Sequence, residues 1–119
     1  MDVISSIFQI VISLGIFNVW LLRIGKATSY RGGDAQSLKE EFQVYGLPDW
    51  AFYLVGALKL SAAIALLLGF FIPCLIFPGA LLMAALMTGA LAMHLKVKDP
   101  VAKSLPALLM LLMCLVLLF

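Results

Sequence analysis

The chain has 119 residues, 65% of them hydrophobic and 12% charged, with a net charge of +2. A soluble domain of this size has too much surface for its volume to hide so much apolar area, which excludes the ordinary globular classes. The small net charge offers no footing for nucleic-acid binding, so the meaning lies in where the charges fall.

Seven of the eight Lys and Arg residues occupy two stretches: Arg23, Lys26, Arg31 and Lys39 in one, Lys96, Lys98 and Lys103 in the other. Before the first, Val3 to Leu22 is uncharged over the roughly 20 residues that one crossing of a ~30 Å hydrocarbon core demands. Its basic residues follow it instead of preceding it, so it reads as a retained helix and not as a signal peptide. Trp20 is expected at the interface, in an aromatic belt. The polar stretch that follows contains Ser37-Leu38-Lys39-Glu40, the form of a capping box. Leu38, Phe42 and Tyr45 then recur at helical spacing, which predicts a short amphipathic helix lying on the membrane surface, over about 37–45. Gly46 and Pro48 end it.

Asp49 and Trp50 open the next span as a cap and an interfacial anchor. From Ala51 to Met93 the only charge is Lys59. As one helix that run would measure roughly 65 Å, about two bilayer thicknesses, so it must turn back near Gly69 to Pro73. Pro73 starts the third span and Pro78 is expected to kink its first turns. Asp99-Pro100 reads as an N-cap followed by Pro at the first helical position of the fourth span, with Pro106 distorting it early. The expectation is an all-α integral membrane four-helix bundle, a single domain over 1–119. Its spans are about 3–24, 50–71, 73–95 and 100–119, with the interfacial helix between helices one and two.

An even number of crossings puts both basic loops on one side. Short basic loops stay in the cytoplasm, so both termini are expected outside it. Small residues should mediate packing, since lipid removes the hydrophobic drive between helices. Ser61, Ala65 and Gly69 repeat every fourth residue, as do Ala80 with Ala84 and Ala85 with Gly89.

Lys59 is the residue with the clearest chemical interest. It lies about 13 Å along its helix from Trp50, near the midplane, where an ammonium costs about 2.5–3.5 kcal/mol on insertion scales. No Asp or Glu lies within the four spans to pair with it. It shares a face with Gly56, Ala62 and Ala63, which points it into the bundle; the bland alternative is a side chain that snorkels to the headgroups. His94 ends a stripe with Met83, Met87 and Ala90. It is either an interfacial imidazole above methionine filler or, with Arg23, Lys26, Lys96 and Lys98, part of an anion or headgroup site. Met110, Met113 and Cys114, with Met83 and Met87, carry soft sulfur that suits Cu(I), but apolar helices collect such residues as filler. No metal site is expected. Cys74 and Cys114 define no disulfide framework. A zinc spacing, a Ser/His/Asp set and a phosphate-binding Gly loop are all missing from the sequence.

Arg23 with Lys26, then Phe42, Tyr45-Gly46-Leu47-Pro48, Gly56-Ala57-Leu58-Lys59-Leu60, Leu68-Gly69 and Pro73 resemble the DoxX-like proteins. Gly79-Ala80, Gly89-Ala90, His94, Asp99-Pro100 and Pro106 extend the resemblance over roughly Arg23 to Pro106. It implies a small four-helix membrane protein. It also implies a link to quinone-coupled sulfur oxidation or oxidative-stress complexes, and kinship with a group that includes an assembly chaperone for nicotinic acetylcholine receptors. Where an acidic residue is expected in helix two, this chain has Lys59.

Two functions follow. The first is a binding and assembly module that holds a lipophilic ligand or partner helix, with Lys59, Gly56, Tyr53, Met87 and His94 as candidate ligand-binding residues. The second is a subunit of a membrane oxidoreductase that uses a quinone, its headgroup positioned by Lys59 with Tyr53 or His94. Expected partners are the lipid bilayer and a membrane protein or a second copy of the chain, with no nucleic acid. The expected location is a bacterial inner membrane.

Overall fold

A computed structural model of the chain describes residues 3–22, 25, 32, 33, 35 and 37–119. Five helices carry the fold: α1 (Val3–Phe17), α2 (Leu38–Val44), α3 (Asp49–Leu68), α4 (Ile76–Lys96) and α5 (Val101–Leu118). A π-helical stretch, Asn18–Leu22, prolongs α1, and a 3-10 turn, Pro73–Leu75, precedes α4. Four spans among the described residues are long and apolar enough to cross a membrane: Val3–Leu22, Asp49–Leu68, Pro73–Lys96 and Val101–Leu118. The long axis of the molecule, 40 Å, matches a bilayer with its headgroup layers.

The spans close into a ring in the order α1, α3, α4, α5, with α5 returning to α1. Polar groups help where hydrophobic drive is absent. On α1, Gln9 Nε2 donates to the Leu66 carbonyl at 2.9 Å and Ser13 Oγ to the Ala63 carbonyl at 3.0 Å. Gly79 lets α4 approach α3 closely: a Cβ there would stand 3.2 Å from that of Ala65. The core side chains are Ile12, Ile16, Leu66, Met83, Met87 and Cys114, so the methionines and this cysteine fill the bundle.

The structure departs from several sequence expectations. The buried face of α3 is Ala62, Ala63 and Leu66, whereas Ser61 is exposed and bonds its own helix at the Ala57 carbonyl, 2.7 Å away. On α4, Ala80 and Ala84 are buried but Ala85 and Gly89 are exposed. Small residues at four-residue spacing therefore occur on outward faces as well. Pro78 sits in the first turn of a continuous α4, where its missing N–H has no intrahelical partner to lose. Helix α5 also runs unbroken through Pro106. Trp20 is not in a belt facing lipid: the wider π turn carries it inward, and it is 4% exposed.

Candidate binding site

Both loops that the charge pattern placed together do meet at one end of the bundle, and a short polar cluster forms there. It begins with α2. Ser37 Oγ accepts the Glu40 N–H at 3.2 Å, the N-cap that the sequence announces. Seven residues later the helix stops in a Schellman turn. Leu47 N–H reaches the Phe42 carbonyl and Gly46 N–H the Gln43 carbonyl, with Gly46 at φ +79°. Lys96 of α4 caps the same end by donating to the Tyr45 carbonyl at 2.8 Å. Held in this way, α2 turns Leu38, Glu41, Phe42 and Tyr45 toward the bundle.

The end of α4 repeats the device. Asp99 N–H bonds the His94 carbonyl and Lys98 N–H the Leu95 carbonyl, so Lys98 occupies the left-handed position at φ 57° that usually falls to glycine. This turn folds Asp99 back over His94. Asp99 does not cap α5, as the Asp-Pro pair suggests; α5 starts at Val101 with no side-chain cap. Its carboxylate instead accepts from the Gly33 N–H at 2.9 Å, lies 2.8 Å from His94 Nδ1, and is 3.8 Å from Lys103 Nζ. Lys103 also donates to the Gly33 carbonyl. Burial alone would raise the Asp99 pKa, but the Gly33 N–H, the His94 hydrogen bond and the Lys103 and His94 charges outweigh it and hold the carboxyl below its usual range. An ionised carboxylate only accepts, so His94 Nδ1 carries the proton between them.

On its other side His94, 5% exposed, presents Nε2 at 3.4 Å from the Tyr45 hydroxyl and 4.0 Å from Glu41 Oε1. Tyr45 donates to Glu41 Oε1 at 2.6 Å. The four groups form one line: Asp99, His94, Tyr45, Glu41.

That line ends at a cavity of about 180 Å³ between α2, α3 and α4. Phe42, Leu47, Val55 and Met93 give it apolar walls, and Glu41, Tyr45 and Lys59 give it polar corners. Gly89 is exposed and also lines the cavity, and a Cβ on it would meet nothing within 4 Å. The cavity therefore opens on the flank of α4 beside Gly89. Behind it, Trp20, Phe42 and Phe52 pack ring to ring, with centroids 5.2–5.9 Å apart. Lys59 Nζ stands 5.6 Å from the Trp20 ring centroid, a cation–π contact that compensates part of its burial. Gly56 admits that ring: a Cβ there would lie 2.6 Å from it.

The candidate residues separate on this geometry. Lys59 lines the cavity, Gly56 supports the ring behind it, and His94 reaches it through Tyr45. Met87 is buried in the core and is not a lining residue; Tyr53 is 62% exposed and faces Lys39, whose Nζ is 5.7 Å from its ring. Lys96 donates to the Tyr45 carbonyl, and Lys98 occupies the left-handed position of the turn. Arg23 and Lys26 lie outside the described residues. Sequence reasoning missed Glu41, Tyr45 and Asp99 as members of a site. The signal for Glu41 was present: it lies three residues after Leu38 and four before Tyr45, on the inward stripe of α2.

A family model described as "DoxX-like family" matches residues 12–116. No curated protein and no solved structure matches the chain.

Proposed function

The chain belongs to the DoxX-like family of membrane proteins, and on that premise we propose that it is a binding module holding the polar head of an amphiphile in the cavity between α2, α3 and α4. The observation that supports this is the side opening: a cavity with an ammonium at its inner corner and apolar walls, reached at Gly89 from the flank that faces lipid. Lys59 offers three donors and no acceptor, so it suits a carbonyl or anionic group. A glycine at the opening leaves room for an alkyl chain to pass between the head in the cavity and the bilayer. By the positive-inside rule this end of the bundle faces the cytoplasm, with both termini on the other side.

Cavity size favours a second reading. An enclosed space of roughly 150 Å³ accepts one benzene ring, so 180 Å³ accommodates the ring of a quinone, whose carbonyl Lys59 would meet. Quinone would then supply the electron chemistry, and this chain would hold and orient its head.

Mass spectrometry of lipids extracted from purified protein tests both. Gly89→Leu places a side chain at the opening, where a Cβ meets no neighbour within 4 Å. The wild type should carry a stoichiometric amphiphile that this variant lacks; identical lipid profiles would overturn the proposal. A quinone as the retained compound selects the second reading, and a protein segment crosslinked at the opening selects an assembly role instead.

A further inference from the structure

The first span has two ordered faces. Gln9, Ile12, Ser13, Ile16 and Trp20 are buried against the bundle. Ile4, Ile7, Val11, Leu14, Asn18 and Leu21 are exposed, and they follow one another at alternating steps of three and four residues. At about 100° per residue these six form one stripe, roughly 25 Å long, directly opposite the buried face. In heptad terms Ile4, Val11 and Asn18 occupy position a, and Ile7, Leu14 and Leu21 occupy position d. β-branched residues at a with Leu at d favour two parallel strands, and a single Asn at a fixes their register.

Lipid satisfies an apolar stripe, and the exposed leucines of α5 need nothing more. Asn18 differs. It lies in the membrane span Val3–Leu22, about one turn from its end. Its carboxamide carries two N–H donors and an acceptor oxygen, which hydrocarbon leaves unsatisfied at a cost. The exposed hydroxyls of Ser61 and Thr88 avoid that cost by donating to their own helices, at the Ala57 carbonyl 2.7 Å away and the Ala84 carbonyl 2.8 Å away. Among the described residues, no hydrogen-bond partner meets the Asn18 side chain.

We propose that this stripe is a homodimer seam, in which α1 packs in parallel against α1 of a second copy and the two Asn18 amides hydrogen-bond each other.

The chemistry selects a second copy. An amide both donates and accepts, so it is its own complement. Two copies in one membrane share one topology, and a two-fold axis along the membrane normal sets each residue of α1 against the same residue of its partner. Asn18 then meets an amide at its own depth without any further requirement. An unrelated partner would need its own polar group at that level. The left-handed crossing of about 20° that a heptad seam requires is also the usual one in membrane bundles. None of the seam residues lines the cavity, so the inference is independent of what the cavity holds.

The test uses the full chain in phosphatidylcholine vesicles, with donor or acceptor dye on the exposed Cys74; Cys114 is buried. Energy transfer between copies is followed as lipid is added. For the wild type it should persist on dilution and vary linearly with the acceptor fraction, as a dimer requires. Asn18→Leu keeps the stripe apolar and should weaken association roughly threefold to thirtyfold, the range for one interhelical polar contact in a membrane. Asn18→Gln restores the amide and should recover most of that loss. Crosslinking locates the seam with Asn18 intact. In a Cys74→Ser background, Val11→Cys should join to itself on mild oxidation, whereas Leu109→Cys, on the exposed face of α5, should not. Transfer that fades on dilution as chance encounters do would overturn the seam. So would unchanged association in Asn18→Leu, or equal crosslinking from positions 11 and 109.

Discussion

The two ends of the bundle solve different problems. At the Pro73 turn the exposed side chains are apolar, among them Phe71 at 84% exposure, Ile72 and Phe77. The nearest buried polar groups, Gln9 and Ser13, are each tied to a backbone carbonyl of α3. At the other end Glu41 and His94 are buried and the Asp99 side chain is covered, and they are tied to one another. The first end is held by packing and by the two bonds of Gln9 and Ser13 to backbone carbonyls. The second has to neutralise charges, and it does so with two helix-terminal turns that bring distant segments together. The candidate site lies at the second end because there, among the described residues, polar chemistry is set beside a cavity.

Perturbing each end measures that contrast. His94→Leu should have the largest effect: it leaves the covered Asp99 carboxylate without its imidazole partner and should cost about 3 kcal/mol, read from unfolding in detergent. Acid probes the same group. The Asp99 carboxyl is lowered in the folded chain, so its stabilisation is complete above the ordinary carboxylate pKa of about 4 and is lost as pH falls through the lower folded value. Asp99→Asn should flatten the stability profile in that acid range, and an unchanged profile would remove Asp99 from the charge balance.

Lys98→Gly should act in the opposite direction, stabilising by about 1 kcal/mol, because glycine takes the left-handed conformation without strain. At the apolar half the expected effect is smallest. Ser13→Ala removes one interhelical hydrogen bond and should cost about 0.6 kcal/mol, the usual worth of such bonds in a bilayer. A larger loss there than at His94 would reverse the comparison.

Much of the apolar half is legible in residues alone. Four apolar runs, the Gly69 to Pro73 break and the even count follow from local composition, and so does the Ser37 cap. Lys59 is noticeable because a charge at the midplane is anomalous anywhere. The polar end is less legible for a definite reason. Asp99-Pro100 is a valid helix start by local rules, but a Schellman turn at Lys98 competes for the same residues and wins once His94 and Gly33 are in reach. Trp20 near a basic stretch reads as an interfacial anchor, and nothing local announces that the backbone widens just before it. Of the small-residue repeats, Ala80 with Ala84 is buried whereas Ala85 with Gly89 is exposed, because spacing records which residues share a face, not which face meets protein.

That widening at Asn18–Leu22 has a further consequence. A π turn takes up one more residue than an α turn, and one residue is about 100° of rotation around the helix. Wound as an ordinary α-helix, the same residues would carry the indole around the axis and away from Gly56. Lys59 would then lose the aromatic surface beneath it, although every residue that touches the cavity would be unchanged. The environment of the buried amine thus depends on the winding of a neighbouring helix as well as on the side chains around it.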